Sequence, residues 1–109
     1  MPTIYKVLGQ SAPSATTDTT LYTVPAATDA VVSSIVIANR DSSAATFRIA
    51  VRPGGATLAN QHYIAYDCSV GANDTTALTL GLTLDATDVV TVRASTANLS
   101  FSAFGSEIS

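Results

Sequence analysis

The chain has 109 residues and a net charge of −3 at pH 7, and only 12% of its residues are charged. One domain is expected, because two domains would each have too few residues to bury a stable core. Five Lys and Arg residues are too few for a groove that follows nucleic-acid phosphates, and no apolar run approaches the roughly 20 residues of a membrane-spanning helix. Nucleic acid and membrane are therefore not expected partners.

Apolar and polar residues alternate with a period of two along most of the chain, which predicts β-strands. The segment 11–20 is rich in Ser, Thr, Pro and Ala and predicts a surface linker. We therefore expect an N-terminal strand or arm with a linker at 1–20 and the main domain at 21–109. The predicted strands are 3–9, 21–24, 30–39, 45–52, 58–68, 75–84, 89–95 and 99–105.

Two of these strands carry the clearest patterns. The strand at 30–39 is apolar on both sides near its middle, with Val31, Ile35 and Ile37 on one face, and this predicts a central strand. The strand at 75–84 alternates leucine with Thr or Gly, which places its four leucines on one face; Gly81 could mark a bulge. About eight short antiparallel strands separated by turn signals predict an all-β, single-domain sandwich, with jelly-roll and immunoglobulin-like connectivity both open.

The segment FRIAVRPGGATLANQHYIAYDC, residues 47–68, holds the single histidine and the single cysteine. Along a strand that contains both, His62 and Cys68 would lie about 20 Å apart, which excludes a catalytic dyad. No Gly-x-Ser-x-Gly motif is present either. We predict that the chain is not an enzyme, and that this segment is a β-hairpin reversed at Pro53-Gly54-Gly55.

The lone cysteine and the acidic residues predict structural roles. Cys68 cannot form an intrachain disulfide, which fits assembly in a reducing cytoplasm, and by default it is a small buried apolar residue. One Cys and one His are too few for a zinc site. Asp85 and Asp88 could offer oxygen ligands to calcium, although the twelve-residue calcium-loop pattern is absent. The RPGGAT stretch indicates a turn rather than a phosphate loop. No metal and no cofactor are expected.

The low charge predicts an unusual surface. Typical soluble domains contain about twice this share of charged residues, and small monomers rely on a charged surface for solubility. We therefore expect other subunits to cover much of the surface and the chain to self-associate, with a homotrimer as the expected form. The tyrosines could form a sugar-binding platform, but we prefer core and interface positions with bonded hydroxyls. The predicted subunit interface consists of Arg48, Arg52, His62, Tyr63 and Tyr66.

Several segments between residues 21 and 109 together resemble small virion structural proteins of tailed bacteriophages, notably those that infect cyanobacteria. The segments are LYTVPA, SSIVIAN, FRIAVRPGG, NQHYIAYD and STANLSFSAFG. The resemblance implies a non-enzymatic, β-rich component of the virion, assembled in the host cytoplasm. We expect a capsid decoration (cement) protein that binds the major capsid protein and bridges its subunits. The alternative is a structural or host-binding protein of the tail, baseplate or fibre.

Overall fold

The structure, a computed structural model, describes residues 2–109 and contains eight strands, as predicted, although the fifth begins at Tyr63 rather than at residue 58. Two short 3-10 helices, Pro53–Gly55 and Asn60–His62, lie between the fourth and fifth strands. Within residues 2–109 no helix has the length and apolar character needed to cross a membrane. The strands are β1 (Thr3–Ser11), β2 (Thr19–Thr23), β3 (Asp29–Asn39), β4 (Ala45–Arg52), β5 (Tyr63–Val70), β6 (Thr75–Leu84), β7 (Val89–Ala94) and β8 (Leu99–Ile108).

The strands form two four-stranded antiparallel sheets, which confirms the predicted all-β sandwich. The first sheet has the order β1-β8-β3-β6 and the second has the order β2-β7-β4-β5. Successive strands alternate between the sheets except where β4 continues into β5, and the first and last strands, β1 and β8, pair side by side. This is jelly-roll connectivity, and an immunoglobulin-like domain would divide its strands differently. The structure therefore resolves the choice that the sequence leaves open.

The N-terminal strand is part of the sandwich. β1 pairs with β8 along its whole length and forms one edge of the first sheet, while Thr19 and Thr20 already belong to β2. The segment 12–18 connects the two strands and crosses from one sheet to the other. Residues 3–18 are thus the first edge strand and its connection to β2.

The core lies between the sheets, and β3 is central as predicted, with β8 on one side and β6 on the other. The predicted face of β3 is wrong at one position. Its pairing with both neighbours shifts between Val32 and Ser34, so that Val32, Ile35 and Ile37 are completely buried while Val31 lies on the outer side. A β-bulge adds one residue to a strand and reverses the alternation beyond it.

β6 follows its predicted pattern. Leu84 is buried, and the other three leucines of β6 pack against the core, while the intervening Thr and Gly residues are exposed. The three leucines are only partly buried because β6 is an edge strand. The pairing of β6 with β3 is irregular beside Gly81, where Leu82 and Thr79 face Val32 and Ser34. The bulge considered at Gly81 therefore coincides with this register shift.

A buried amide fixes one end of the sandwich. The Asn39 side chain donates to the carbonyl oxygens of Ser43, Val70 and Gly71 at 2.9, 3.3 and 3.1 Å, and its oxygen accepts the Asp41 N–H at 3.0 Å. Asn39 ends β3 in the first sheet and Val70 ends β5 in the second. Asn39 thus links the two sheets.

Candidate functional site

Four charged side chains form a row across the outer face of the second sheet. We call the row of Asp67, Arg48, Arg93 and Asp18 the arginine row. Asp67 lies on β5, Arg48 on β4 and Arg93 on β7, while Asp18 directly precedes β2. The row therefore crosses the sheet in strand order, with an acidic residue at each end and two arginines in the middle.

Strand register explains this arrangement. Arg48 and Arg93 are direct cross-strand partners, and like charges in that position destabilise a sheet. Each arginine has an acidic neighbour on its other side. The Arg48 guanidinium donates from Nε to Asp67 Oδ1 at 2.7 Å and from Nη2 to Oδ2 at 3.3 Å, while Arg93 Nη1 lies 3.7 Å from Asp18 Oδ1. The row is neutral overall and its charges are held in place.

The fork of hydrogen bonds between Arg48 and Asp67 shifts both ionisation equilibria. The bond from Arg48 holds the pKa of the Asp67 carboxyl below its usual range, and the charge of Arg93 acts in the same direction. The same bond raises the pKa of Arg48. Asp67 reaches Arg48 from an irregular part of β5, where its φ is +51° and the pairing with β4 shifts register. Both groups therefore remain charged near neutral pH.

Two tyrosines extend the row along β5. The Arg48 guanidinium lies 4.1 Å from the centre of the Tyr66 ring, and the rings of Tyr63 and Tyr66 meet edge to face with centroids 4.9 Å apart. Tyr66 is 57% exposed. A cavity of about 230 Å³ adjoins the row and is lined by Thr16, Thr46, Arg48, Asp67, Arg93 and Ser95. This surface combines guanidinium and hydroxyl groups with an exposed aromatic ring, which suits hydrogen-bonded contact with another polar surface.

The structure brings together three of the five predicted interface residues, Arg48, Tyr63 and Tyr66. Arg52 lies further along β4, where its Nε donates to Thr91 Oγ1 at 3.0 Å and its Nη1 donates to the carbonyl oxygen of Ala56 at 3.0 Å. These bonds secure the turn after β4.

His62 also stabilises the loop. It ends the second 3-10 helix, and its Nδ1 accepts the Ala59 N–H at 3.0 Å.

The irregular β5 accounts for a difference between the structure and the predicted alternation of faces. Strict alternation would place Tyr63 and Tyr66 on opposite faces, but their rings are in contact because the β4 and β5 pairing shifts register twice. Odd spacing can place two side chains on one face only across such a bulge.

The expected burial of Cys68 is wrong, because the residue is exposed. It pairs with Phe47, whose side chain is in the core. β5 is the edge of the second sheet, so a side chain at this position has no further strand to cover it.

Asp18 and Arg93 were not predicted as site residues, since the pairing that aligns them with Arg48 is not a local property of the sequence.

The aspartates considered as a calcium site are bonded to backbone amides. Asp88 accepts the N–H groups of Gly54 and Asp85 at 2.8 Å each, and Asp85 accepts the Ala86 N–H at 2.7 Å. These bonds join the turn before β7 to the turn after β4. Across residues 2–109, no group of three His, Cys, Asp or Glu side chains is placed to hold a metal ion.

A polar cluster of Glu107, Tyr22 and Lys6 lies between the sheets near the end of β8. Glu107 accepts the Tyr22 hydroxyl at 2.5 Å and forms an ion pair with Lys6 at 3.2 Å. The bond from Tyr22 is the main cause that lowers the pKa of Glu107. Burial, followed by the bond and the charge of Glu107, raises the pKa of Tyr22. The cluster links β1 and β8 of the first sheet to β2 of the second.

This cluster predicts acid sensitivity. A carboxyl with a lowered pKa in the folded state stabilises the fold above its unfolded pKa of about 4.3, and this contribution is lost as the pH falls through the folded value. In Glu107→Gln we expect a lower free energy of unfolding at pH 7 and a smaller loss between pH 5 and 3 than in the wild type. Urea unfolding at fixed pH values measures both. Tyr22→Phe, which removes the donor, should also reduce the acid-dependent loss; unchanged pH profiles in both variants would contradict the assignment.

Comparisons with models of known protein families and with curated protein sequences give no match to this chain.

Proposed function

We propose that this chain is a non-enzymatic structural protein of a bacteriophage virion. In this proposal it is a decoration (cement) protein that binds the outside of the head and bridges neighbouring copies of the major capsid protein. The resemblance of the segments within 21–109 supports a virion protein. The jelly-roll strand order is the structural observation that carries the proposal, because viral capsid domains use this architecture. Since one fold hosts many functions, a decoration role also requires a contact surface.

The arginine row and the two tyrosines supply that surface. Arginine and tyrosine are the residues that contribute most often to binding energy at protein interfaces. Asp67 orients Arg48, and Arg48 in turn stacks on Tyr66, so little side-chain entropy remains to be lost on binding. An oligomer seated on a junction of capsid subunits would present one such surface for each of its chains. Each added contact would oppose the separation of the capsid subunits under internal DNA pressure.

The proposal predicts a site-specific loss of shell binding. Tyr66→Ala removes the exposed ring and the support of Arg48, and we expect affinity for purified shells that lack the protein to fall at least about tenfold. Arg48→Ala should have an effect in the same direction. Cosedimentation with shells, scored by bound copies per particle, measures this.

Arg40→Ala is the matched control, because Arg40 lies in the turn after β3 and donates to the Ala97 carbonyl oxygen at 3.0 Å. It should bind shells like the wild type. Equal occupancy for wild type, Tyr66→Ala and Arg48→Ala would remove the arginine row from the proposal. If virions contain a few copies of the chain rather than hundreds, the head location itself is wrong.

The second candidate function is a tail, baseplate or fibre protein that binds the host. The exposed Tyr66 ring beside a cavity lined by hydroxyl and charged groups favours it, since aromatic rings and hydrogen-bonding groups together suit sugar recognition. Jelly rolls also occur in lectins. Purified protein that binds host cells or their surface polysaccharide, with loss of binding in Tyr66→Ala, would support this function over shell decoration.

The position of β1 changes how an N-terminal arm can be tested. An N-terminal arm would have to be free in order to add a strand to a neighbouring subunit, but residues 3–11 form an edge strand of the chain's own first sheet. Deletion of residues 1–18 would uncover β8 and remove Leu8 from the core. Loss of shell binding after this deletion would therefore report unfolding as readily as a lost contact, and point substitutions are the appropriate test.

A further inference from the structure

The outer face of the first sheet differs from that of the second in having almost no charge. Strand register aligns its side chains in rows across the four strands, and one row consists of Tyr5, Ser106, Val31 and Thr83. The next rows pass through Ser34, Val36 and Ala38 of β3. Read from the register, these four rows contain Ser, Thr, Ala, Val, Gln, Tyr and Phe, and no Lys, Arg, Asp or Glu.

The charged residues of the first sheet's strands lie outside these four rows. Lys6 and Glu107 belong to rows of the opposite side and pair with each other. Asp29 begins β3 and lies at the end of the face. The second sheet, by contrast, bears Arg48 and Arg93 on its outer side. Within residues 2–109, the charged residues of the strands therefore lie away from the centre of the outer face of the first sheet.

Large apolar side chains are exposed on this face. Tyr5 is 84% exposed and Val7 is 47% exposed, and both lie on β1. Together with Val31 and Phe104 they line a groove of about 530 Å³ that runs between β1, β8 and β3, and its one charged lining residue, Lys6, forms an ion pair with Glu107. Contiguous apolar surface of this kind on a small domain usually marks a site of protein interaction.

The dimensions of the face suit a protein partner. Four strands spaced about 4.8 Å apart and about ten residues long, at about 3.3 Å per residue, cover roughly 600 Å² in projection. A standard protein interface buries about 800 Å² of accessible surface on each partner. Because side chains corrugate the surface, the accessible area exceeds the projected area, so this face is large enough for a stable interface.

The charge of the chain indicates which kind of partner suits the outer face of the first sheet. Each chain has a net charge of −3, so copies that approach each other through acidic surfaces repel. The outer face of the first sheet is the sheet surface on which two copies can meet without opposing carboxylates. A basic or acidic partner would find no opposite charge there, which favours an occupant with an equally neutral face.

We propose that the outer face of the first sheet packs against a second copy of this chain. Tyr5, Val7 and Phe104 would provide the apolar centre of the contact, and Ser and Thr hydroxyl groups would surround it. The inference rests on the charge and exposure of the face and does not require the proposed role on the virion. It assigns self-association to the first sheet and leaves the arginine row on the second sheet free for another partner.

The test inserts a charge at the centre of the face. Ser102 lies on β8 in the row through Val36, so Ser102→Lys would place like charges close together where two copies meet. We expect light scattering after size exclusion, at micromolar concentration, to give at least twice the mass of one chain for the wild type and the monomer mass for Ser102→Lys. Tyr5→Ser, at the most exposed position, should shift the mass in the same direction without unfolding.

Thr20→Lys is the matched control, because Thr20 is exposed on β2 and lies on the outer side of the second sheet in the row of Thr91, Ala50 and Tyr63. This variant should keep the wild-type mass. A monomeric wild type would overturn the inference, as would folded Ser102→Lys and Tyr5→Ser variants that keep the wild-type mass. A monomer that still binds shells would overturn this inference alone, whereas an oligomer that fails to bind shells would count against the proposed function alone.

Discussion

Gly105→Ala is expected to reduce the free energy of unfolding by about 3 kcal/mol or more, at the upper end of the range for overpacked sites. A Cβ atom at Gly105 would overlap the carbonyl oxygen of Val31 on β3 and press against the Leu8 side chain. The main obstacle is backbone, so no rotamer change can relieve it. β8 and β3 would have to separate locally, which weakens the central pairing of the first sheet.

Gly81→Ala is the matched control for this prediction. Gly81 lies on edge strand β6, and an added Cβ would meet no atom within 4 Å. We expect its stability to stay within about 1 kcal/mol of the wild type, with a small gain from the reduced entropy of the unfolded chain. Urea unfolding of both variants measures the difference. Equal stabilities for Gly105→Ala and Gly81→Ala would show that β8 and β3 are not as close as described.

Phe101→Ala is expected to cost about 3–5 kcal/mol, the usual range for the loss of a buried phenylalanine. Phe101 is 1% exposed and contacts Phe47 edge to face, with ring centroids 6.3 Å apart. The two rings come from β8 in the first sheet and β4 in the second. Truncation therefore leaves a cavity at the centre of the core and removes a contact that joins the two sheets.

Phe104→Ala tests whether burial or residue type causes this loss. Phe104 lies three residues further along β8 but faces the outer groove, where it is partly exposed. Its replacement should cost less than about 1 kcal/mol in a monomer. If the first sheet binds a second copy, the loss in Phe104→Ala should depend on protein concentration, whereas the loss in Phe101→Ala should not. Comparable, concentration-independent losses in both variants would contradict the assignment of the two faces.

The sequence by itself determined the number and type of the elements. Alternation with a period of two follows from strand geometry alone, so the eight strands and the inward leucines of β6 could be predicted without knowledge of the pairing. Turn residues act locally as well, which is why the reversal at Gly54 and Gly55, both with positive φ, was predictable. The low proportion of charged residues predicts that part of the surface is covered by other subunits, but it does not predict which sheet face is covered.

Tertiary structure alone decided the pairing and everything that depends on it. The jelly-roll order, the place of β1 at a sheet edge and the alignment of Arg48 with Arg93 are all set by which strands meet. The outward position of Val31 follows from a register shift whose cause lies in neighbouring strands. The backbone amides of an isolated strand can pair with those of any other strand, so local sequence does not specify the neighbour. Only the simultaneous burial of the inner faces of both sheets selects one arrangement of the strands.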